Sequence, residues 1–210
     1  MKRFCFVLSF LLIAISSIAG DQLIGLNSRV KGNDMFSDGV YLHFGIGMPQ
    51  LDYLGQGKQF QGLQPSFEFG SQFLFSKKSN VAIGANFSWV TIATSIRDGE
   101  DIFGWDVNFG LIRFGPMVSV KLDENSAFDF FFNLSPTAKF NFFSYDDQGY
   151  TYLYYGALWV PGLKFRYKKL VVGAEVNFGT LFIDDLDKDE DPVHDRASYV
   201  NPRLFVGLKF

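Results

Sequence analysis

Cysteine is nearly absent from this 210-residue chain: the single copy, Cys5, lies in an apolar run at the N-terminus. No small-residue cleavage context precedes it, so it resembles neither a lipoprotein attachment site nor a catalytic thiol, and no disulfide framework is available to anything downstream. Histidine is almost as scarce. His43 and His194 are the whole supply, which leaves few groups for general acid–base chemistry. The charge is also small, 19 Lys and Arg against 22 Asp and Glu for a net of -3, too little to argue for nucleic acid or any strongly charged partner. Neither a Gly-rich phosphate loop, a metal-ligand spacing nor a basic stripe occurs. Past the first twenty residues no apolar segment is long enough to cross a bilayer as a helix.

What is abundant is phenylalanine, 26 copies, with aromatics at 18% of the chain and 21 glycines. Aromatic residues favour strands. At the N-terminus, Lys2 and Arg3 precede the apolar run Phe4 to Ile15, followed by Ser16, Ser17, Ile18, Ala19 and Gly20, with Asp21 opening a polar stretch. That charged, apolar, small-residue order is a secretory signal, with cleavage expected after Ala19 or Gly20. A membrane-spanning helix is the bland alternative, and the run is shorter than the roughly 20 residues it needs.

From about residue 38 onward the pattern is alternation, the mark of a strand with unlike faces. Val40, Leu42, Phe44 and Ile46 oppose Tyr41, His43, Gly45 and Gly47; Phe67, Phe69, Phe73 and Phe75 oppose Ser66, Glu68, Gly70 and Gln72; Val81 to Trp89, Phe128 to Leu134 and Leu170 to Phe178 repeat the design, with Phe131 an exception on the polar side. In Phe103 to Lys121 the apolar face changes parity near Phe109 to Ile112, which predicts a β-bulge. Tyr150 to Arg166 carries Pro161 and large residues on both faces, and its register is not legible. Connections alternate in length: Lys77–Asn80, Asp123–Ser126 and Tyr167–Lys169 are tight, whereas Pro49–Leu63, Thr94–Ile102, Ser144–Tyr150 and Asp184–Arg196 are longer and polar. The expected fold is all-β, a closed antiparallel up-and-down barrel of about eight strands.

Alternation alone does not say which face is inside, because a soluble ligand-binding barrel has the same period turned inside out. Three features favour a transmembrane barrel. The polar face is also the glycine face, which suits a narrow interior. The apolar face is dominated by Phe, which would overfill that interior. Trp89, Trp105, Trp159, Tyr152, Tyr155, Tyr167 and Tyr199 fall mostly near expected strand ends, where a membrane interface would hold them.

The last segment, Tyr199 to Phe210, ends on Phe210 with Leu208, Val206 and Leu204 at alternate positions before it. This resembles the C-terminal signal of bacterial outer-membrane barrel proteins, which their barrel-assembly machinery recognises, although Pro202 departs from the usual choice. With the export signal and strand count, the chain is similar to the OmpX, OmpW and OmpA-barrel group. The resemblance implies a signal peptide at 1–20, a periplasmic lead-in or partial plug at 21–37, and a barrel at 38–210 in the outer membrane. It also implies outer-membrane lipid and lipopolysaccharide, the assembly machinery and host surface molecules as partners, with no cofactor.

An inward polar face brings Glu68, Arg113, Glu175 and Arg203 to similar heights, and Asp129, Lys139 and Lys164 would extend the set. Opposite charges in a narrow lumen should pair. They would form either a salt-bridged plug or a charged constriction that selects a permeant; the small bore favours the plug. The acidic run in the last long loop makes Asp185, Asp187, Asp189 and Asp191 weak calcium candidates, since Glu190 stands where an EF-hand needs Gly and Arg196 where it needs Glu. A solvated acidic loop is the simpler reading. Some barrels of this class edit lipid A as enzymes. Neither His43, facing the lumen, nor His194, without an organised nucleophile, supports that here, so a non-enzymatic barrel is expected. Three roles follow: a protein displaying surface loops for adhesion or envelope maintenance, or passing small apolar solutes; a lipid A-modifying enzyme; and a soluble periplasmic ligand-binding barrel.

Overall fold

The computed structural model describes residues 36–53, 57–78, 80–98, 102–145, 148–186 and 195–210. The chain divides into two units, Met1–Asp34 and Met35–Phe210. The first, with the export run and nearly all of the lead-in, lies outside the described residues.

Alternation produces strands throughout the second unit: β1 (Gly39–Gly47), β2 (Gln50–Tyr53), β3 (Lys58–Phe60), β4 (Gln64–Lys78), β5 (Val81–Asp98), β6 (Ile102–Lys121), β7 (Ser126–Tyr145), β8 (Gln148–Tyr167), β9 (Leu170–Asp185) and β10 (Asp195–Lys209). Every pairing is antiparallel, and the sheet order closes on itself because β1 pairs with both β4 and β10. β2 carries β1 onward along β10, and β3 pairs back onto β2. These two hairpin arms are therefore staves broken once each, and the ring has eight staves. The break has local causes. Pro49 has no N–H to give the ladder, its carbonyl accepts from the Gln61 amide at 2.9 Å, and Gly62 takes a φ of 89° that few other residues tolerate.

One rim is made of tight turns. Lys168 sits in the left-handed region at φ 53° between β8 and β9. Between β6 and β7, Asp123 accepts from the Asn125 amide at 2.7 Å; the Ser126 hydroxyl, together with that amide, holds its carboxyl below the usual carboxylate range. The other rim differs from expectation. β5 runs to Asp98 and β6 begins at Ile102, β7 runs to Tyr145 and β8 begins at Gln148, so most of two of the four expected long loops, Thr94–Ile102 and Ser144–Tyr150, is paired strand. Polar residues suggest loop in the sequence, but a ladder that satisfies its own backbone groups tolerates polar side chains once it stands in water.

The apolar face points outward. Ile46 is 57%, Phe75 74% and Leu204 67% exposed, while Glu68 and Arg113 on the other face are 3% and 2% exposed. The parity change in β6 is a bulge: the β6–β7 register shifts between Gly110 and Phe114, where Ile112 has φ 53°. β8 keeps one register against β7 from Ser126↔Tyr167 to Tyr145↔Gln148. Against β9 its paired residues skip from Trp159 to Gly162, where Pro161 cannot donate.

The inward glycines relieve crowding in a specific way. A Cβ on Gly70 would lie 2.4 Å from the Tyr41 ring, on Gly162 2.2 Å from Phe131, on Gly173 2.3 Å from Phe205, and on Gly207 2.6 Å from His43. Each large inward ring thus occupies the space that a neighbouring stave leaves by having no side chain. Phe131, the exception in the alternation, is accounted for by Gly162.

The expected aromatic girdle needs correction. Tyr199 is buried in the lumen and Tyr152 packs against the same inner cluster, because both follow the inward parity of their strands. Trp89 and Trp159 face outward but stand well inside β5 and β8; Trp89 satisfies its indole N–H on the Ser71 hydroxyl at 3.0 Å, as a lipid-facing donor must. Tyr167 is exposed at a strand end. The Trp105 side chain lies outside the described residues.

Candidate functional site

The lumen is the site that the inward faces build. Nearest the short-turn rim, Phe36 joins Leu74, Ala82, Met117, Phe131, Val171 and Phe205 in a buried apolar cluster. The segment carrying Phe36 is fastened on both sides: Lys209 Nζ donates to the Ser37 carbonyl at 2.6 Å, and Asp38 Oδ1 accepts from the Leu74 amide at 2.7 Å. Close by, Asp129 and Arg166 form a bidentate pair at 2.6 and 2.9 Å, with Arg166 also donating to Ser119 at 2.9 Å.

Above this lies a closed ring of four charges. Arg113 pairs with Glu68 at 3.2 Å and with Glu175 at 2.9 Å; Arg203 pairs with Glu68 at 2.8 Å and Glu175 at 3.3 Å. Four staves, β4, β6, β9 and β10, supply one residue each. The ring is formally neutral, the arrangement in which buried charge costs least. Asn177 accepts a further bond from Arg113 at 3.0 Å. Lys164 reaches the ring by relay. Its ammonium donates to Asn86 Oδ1 at 3.0 Å, Asn86 Nδ2 donates to Tyr41 Oη at 3.1 Å, and Tyr41 donates to Glu68 Oε1 at 3.0 Å.

Toward the outer end, a cavity of about 20 Å³ borders Arg113, Arg203, Gln64, Asn108, Thr137 and Asn201, room for about one or two water molecules. A second apolar cluster then follows, with Leu51, Tyr154, Leu158, Leu181, Ile183 and Tyr199. The Lys139 ammonium stands over the rings of Tyr154 and Tyr199, 5.7 and 5.9 Å from their centres. Tyr53 and Tyr154 are joined through their hydroxyls.

Of the residues expected in a lumen charge set, Glu68, Arg113, Glu175 and Arg203 therefore meet directly. Lys164 joins through Asn86 and Tyr41, Asp129 takes Arg166 as its partner, and Lys139 sits at the outer cluster. Arg166 was the missed member. It ends the strand whose register was unreadable, though its alternation with Lys164 is a signal that was available. His43 is buried between Tyr41 and Phe205, with ring centres 4.3 and 4.7 Å away. His194, Asp187, Asp189 and Asp191 lie outside the described residues, and Asp185 ends β9. Leu204, Val206 and Leu208 face outward, and Phe210 exchanges backbone bonds with Val40 at 2.8 and 3.1 Å.

A ring of eight staves with lipid-type residues outside and charge inside has counterparts among solved structures. Ail, the attachment invasion locus protein of Yersinia pestis, aligns over 83% of this chain and 99% of its own, at 13% identity and a TM-score of 0.52. The chain has the fold of a small outer-membrane β-barrel. Ail in complex with the heparin analogue sucrose octasulfate aligns equally, at 14% identity, the same shares of each chain and a TM-score of 0.52. The outer membrane protease OmpT of Escherichia coli aligns over 82% of this chain and 95% of its own, at 10% identity and a TM-score of 0.45. No protein-family model matches the sequence, and neither does any curated protein sequence. For an outer-membrane barrel the outward parity of Phe, Val and Leu is the lipid face, which removes the soluble-barrel alternative; the charged ring then lies inside the membrane-spanning part of the lumen.

Proposed function

We propose that this outer-membrane barrel is a closed scaffold, exported by its N-terminal run, that presents its outer strand extensions and loops at the cell surface for adhesion or envelope maintenance. The observation that carries the reading is the filled lumen. Two apolar clusters and a neutral charge ring stand in series along the bore, and the cavity between them is small and polar. A passage for small apolar solutes, the rival role, needs an uninterrupted apolar bore, and the charge ring breaks this one between its two apolar clusters. The likeness to Ail supports a surface role at the level of fold. Its polyanionic ligand does not transfer readily, because Asp184 and Asp185 end β9 and Asp195 begins β10 on this outer rim; neutral or cationic surface groups, or anions bridged by divalent cations, fit better. We infer no enzyme activity. His43, stacked between two rings in the lumen, has no route to an outer-leaflet lipid. On this reading the outward residues Leu204, Val206, Leu208 and Phe210 serve recognition by the assembly machinery.

Planar-bilayer recording with purified protein tests the role. Electrical silence is expected; discrete single-channel steps, abolished by a bulky substitution in the cavity, would establish passage instead. Lipid A mass spectra should be identical with and without the protein, and a new lipid A species would make it an enzyme.

A further inference from the structure

The outer mouth of the lumen holds two tyrosines in direct contact. Tyr53 ends β2 and Tyr154 lies within β8, with β9 and β10 between those staves in the ring. Their hydroxyls are hydrogen-bonded to each other, and their rings meet edge to face with 6.4 Å between centres and 61° between planes. Tyr154 is buried in the outer apolar cluster, whereas Tyr53 is half-buried at its margin. The contact reaches past two staves and ties down an arm with little else to hold it. β2 pairs with β10 only from Gln50 to Tyr53, and among the described residues β3 pairs with β2 alone.

No disulfide can fasten that arm, since Cys5 is the one cysteine of the sequence. Two phenols in hydrogen-bond contact have another covalent chemistry available. We propose that Tyr53 and Tyr154 form a site of oxidative modification, a tyrosine–tyrosine cross-link made by hydrogen peroxide and a one-electron oxidation catalyst, which locks the β2–β3 arm across the mouth. Each phenol gives one electron to the catalyst and its hydroxyl proton to water. The two phenoxyl radicals join through the ring carbons Cε beside the oxygens, and the proton lost from each joined carbon restores a phenolic O–H. In all, two electrons and two protons pass to one peroxide, which leaves as two waters. Because the fold already holds the rings together, the coupling is intramolecular, the circumstance in which a bond-forming step gains most from position. Tyr53, half-exposed, is where the oxidant enters, and Tyr154 is oxidised through the hydroxyl contact while its cluster shields the ring from water.

The test is treatment of the folded barrel in lipid vesicles with hydrogen peroxide and a haem peroxidase, read by dityrosine fluorescence and by mass spectrometry of the digested chain. The wild type should yield one pair of peptides joined at Tyr53 and Tyr154, two hydrogens lighter than their sum. Its boiled product should run faster on a denaturing gel, because the linked loop cannot extend. Tyr53→Phe and Tyr154→Phe should each lose the product, while Tyr152→Phe and Tyr199→Phe, changed in the same cluster, should keep it. Gel mobility without boiling confirms that each variant is folded. No cross-link in the wild type, a product that persists in Tyr53→Phe, or an equal yield of the same pair from chain unfolded in urea would each overturn the site. Because the readout is a covalent bond, it is independent of whether the lumen conducts.

Discussion

Removing Arg113 tests the charge ring in a way that separates electrostatics from packing. Its guanidinium makes four hydrogen bonds, one to Glu68, two to Glu175 and one to Asn177, between 2.9 and 3.2 Å. Arg113→Met keeps an unbranched side chain of similar length but leaves two buried carboxylates facing Arg203 alone, a net charge of one unit in the lumen. Breaking a buried pair from one side costs about 3–5 kcal/mol. Glu175→Gln makes the opposite error, leaving two guanidiniums with only Glu68, and should cost a similar amount. The double variant restores neutrality, because Glu68 and Arg203 remain paired at 2.8 Å. Its loss should therefore fall short of the sum of the singles by about 2–3 kcal/mol, within the range of directly coupled sites. Urea unfolding in lipid vesicles, followed by tryptophan fluorescence and by gel mobility without boiling, measures all three. Additive losses would refute the ring as an electrostatic unit and leave it as independent packing contacts.

Gly162→Ala should destabilise the barrel by about 1–3 kcal/mol through overpacking against Phe131; Phe131→Leu in the same chain should recover most of that, as read by the same unfolding curves. Removal of the Phe210 side chain, as Phe210→Ala, should lower the yield of assembled barrel in cells while refolding into vesicles in vitro proceeds to a similar extent. Comparable losses in both settings would make Phe210 a stability residue. Leu163→Arg, on the outward face, should cost about 2–4 kcal/mol in vesicles, against little change in the same barrel for Thr180→Arg nearer the surface.

Much of this was legible because the strand period is two and the faces differ sharply. Ser66 to Phe75 and Leu170 to Phe178 showed their orientation in the residues themselves, and the β6 bulge was visible as the parity change near Ile112. The charge ring followed from parity plus equal distance to the short-turn rim. Three things were hidden. The strand extensions beyond the membrane carry no lipid-facing pattern, so their polar residues resembled loop. The partner of Asp129 sat on β8, where Pro161 and large residues on both faces obscured which parity points inward, and Arg166 went unseen. Tyr199 looked like an interface residue by its place near a strand end, whereas its parity buries it beside Tyr154 and Leu181. Position along a strand is a weaker guide than the face a residue occupies, since a closed ladder fixes the face absolutely.

The most direct measurement is lipid exposure along a single strand. Cys5 is the one cysteine of the sequence, so on a Cys5→Ser background single cysteines at 171 to 178 on β9 can be spin-labelled in vesicles. Labels at 172, 174, 176 and 178 should collide freely with oxygen dissolved in the bilayer, and labels at 171, 173, 175 and 177 should be immobilised and shielded from it. The opposite phase, or no alternation at all, would contradict an outer-membrane barrel with a sealed, charged interior.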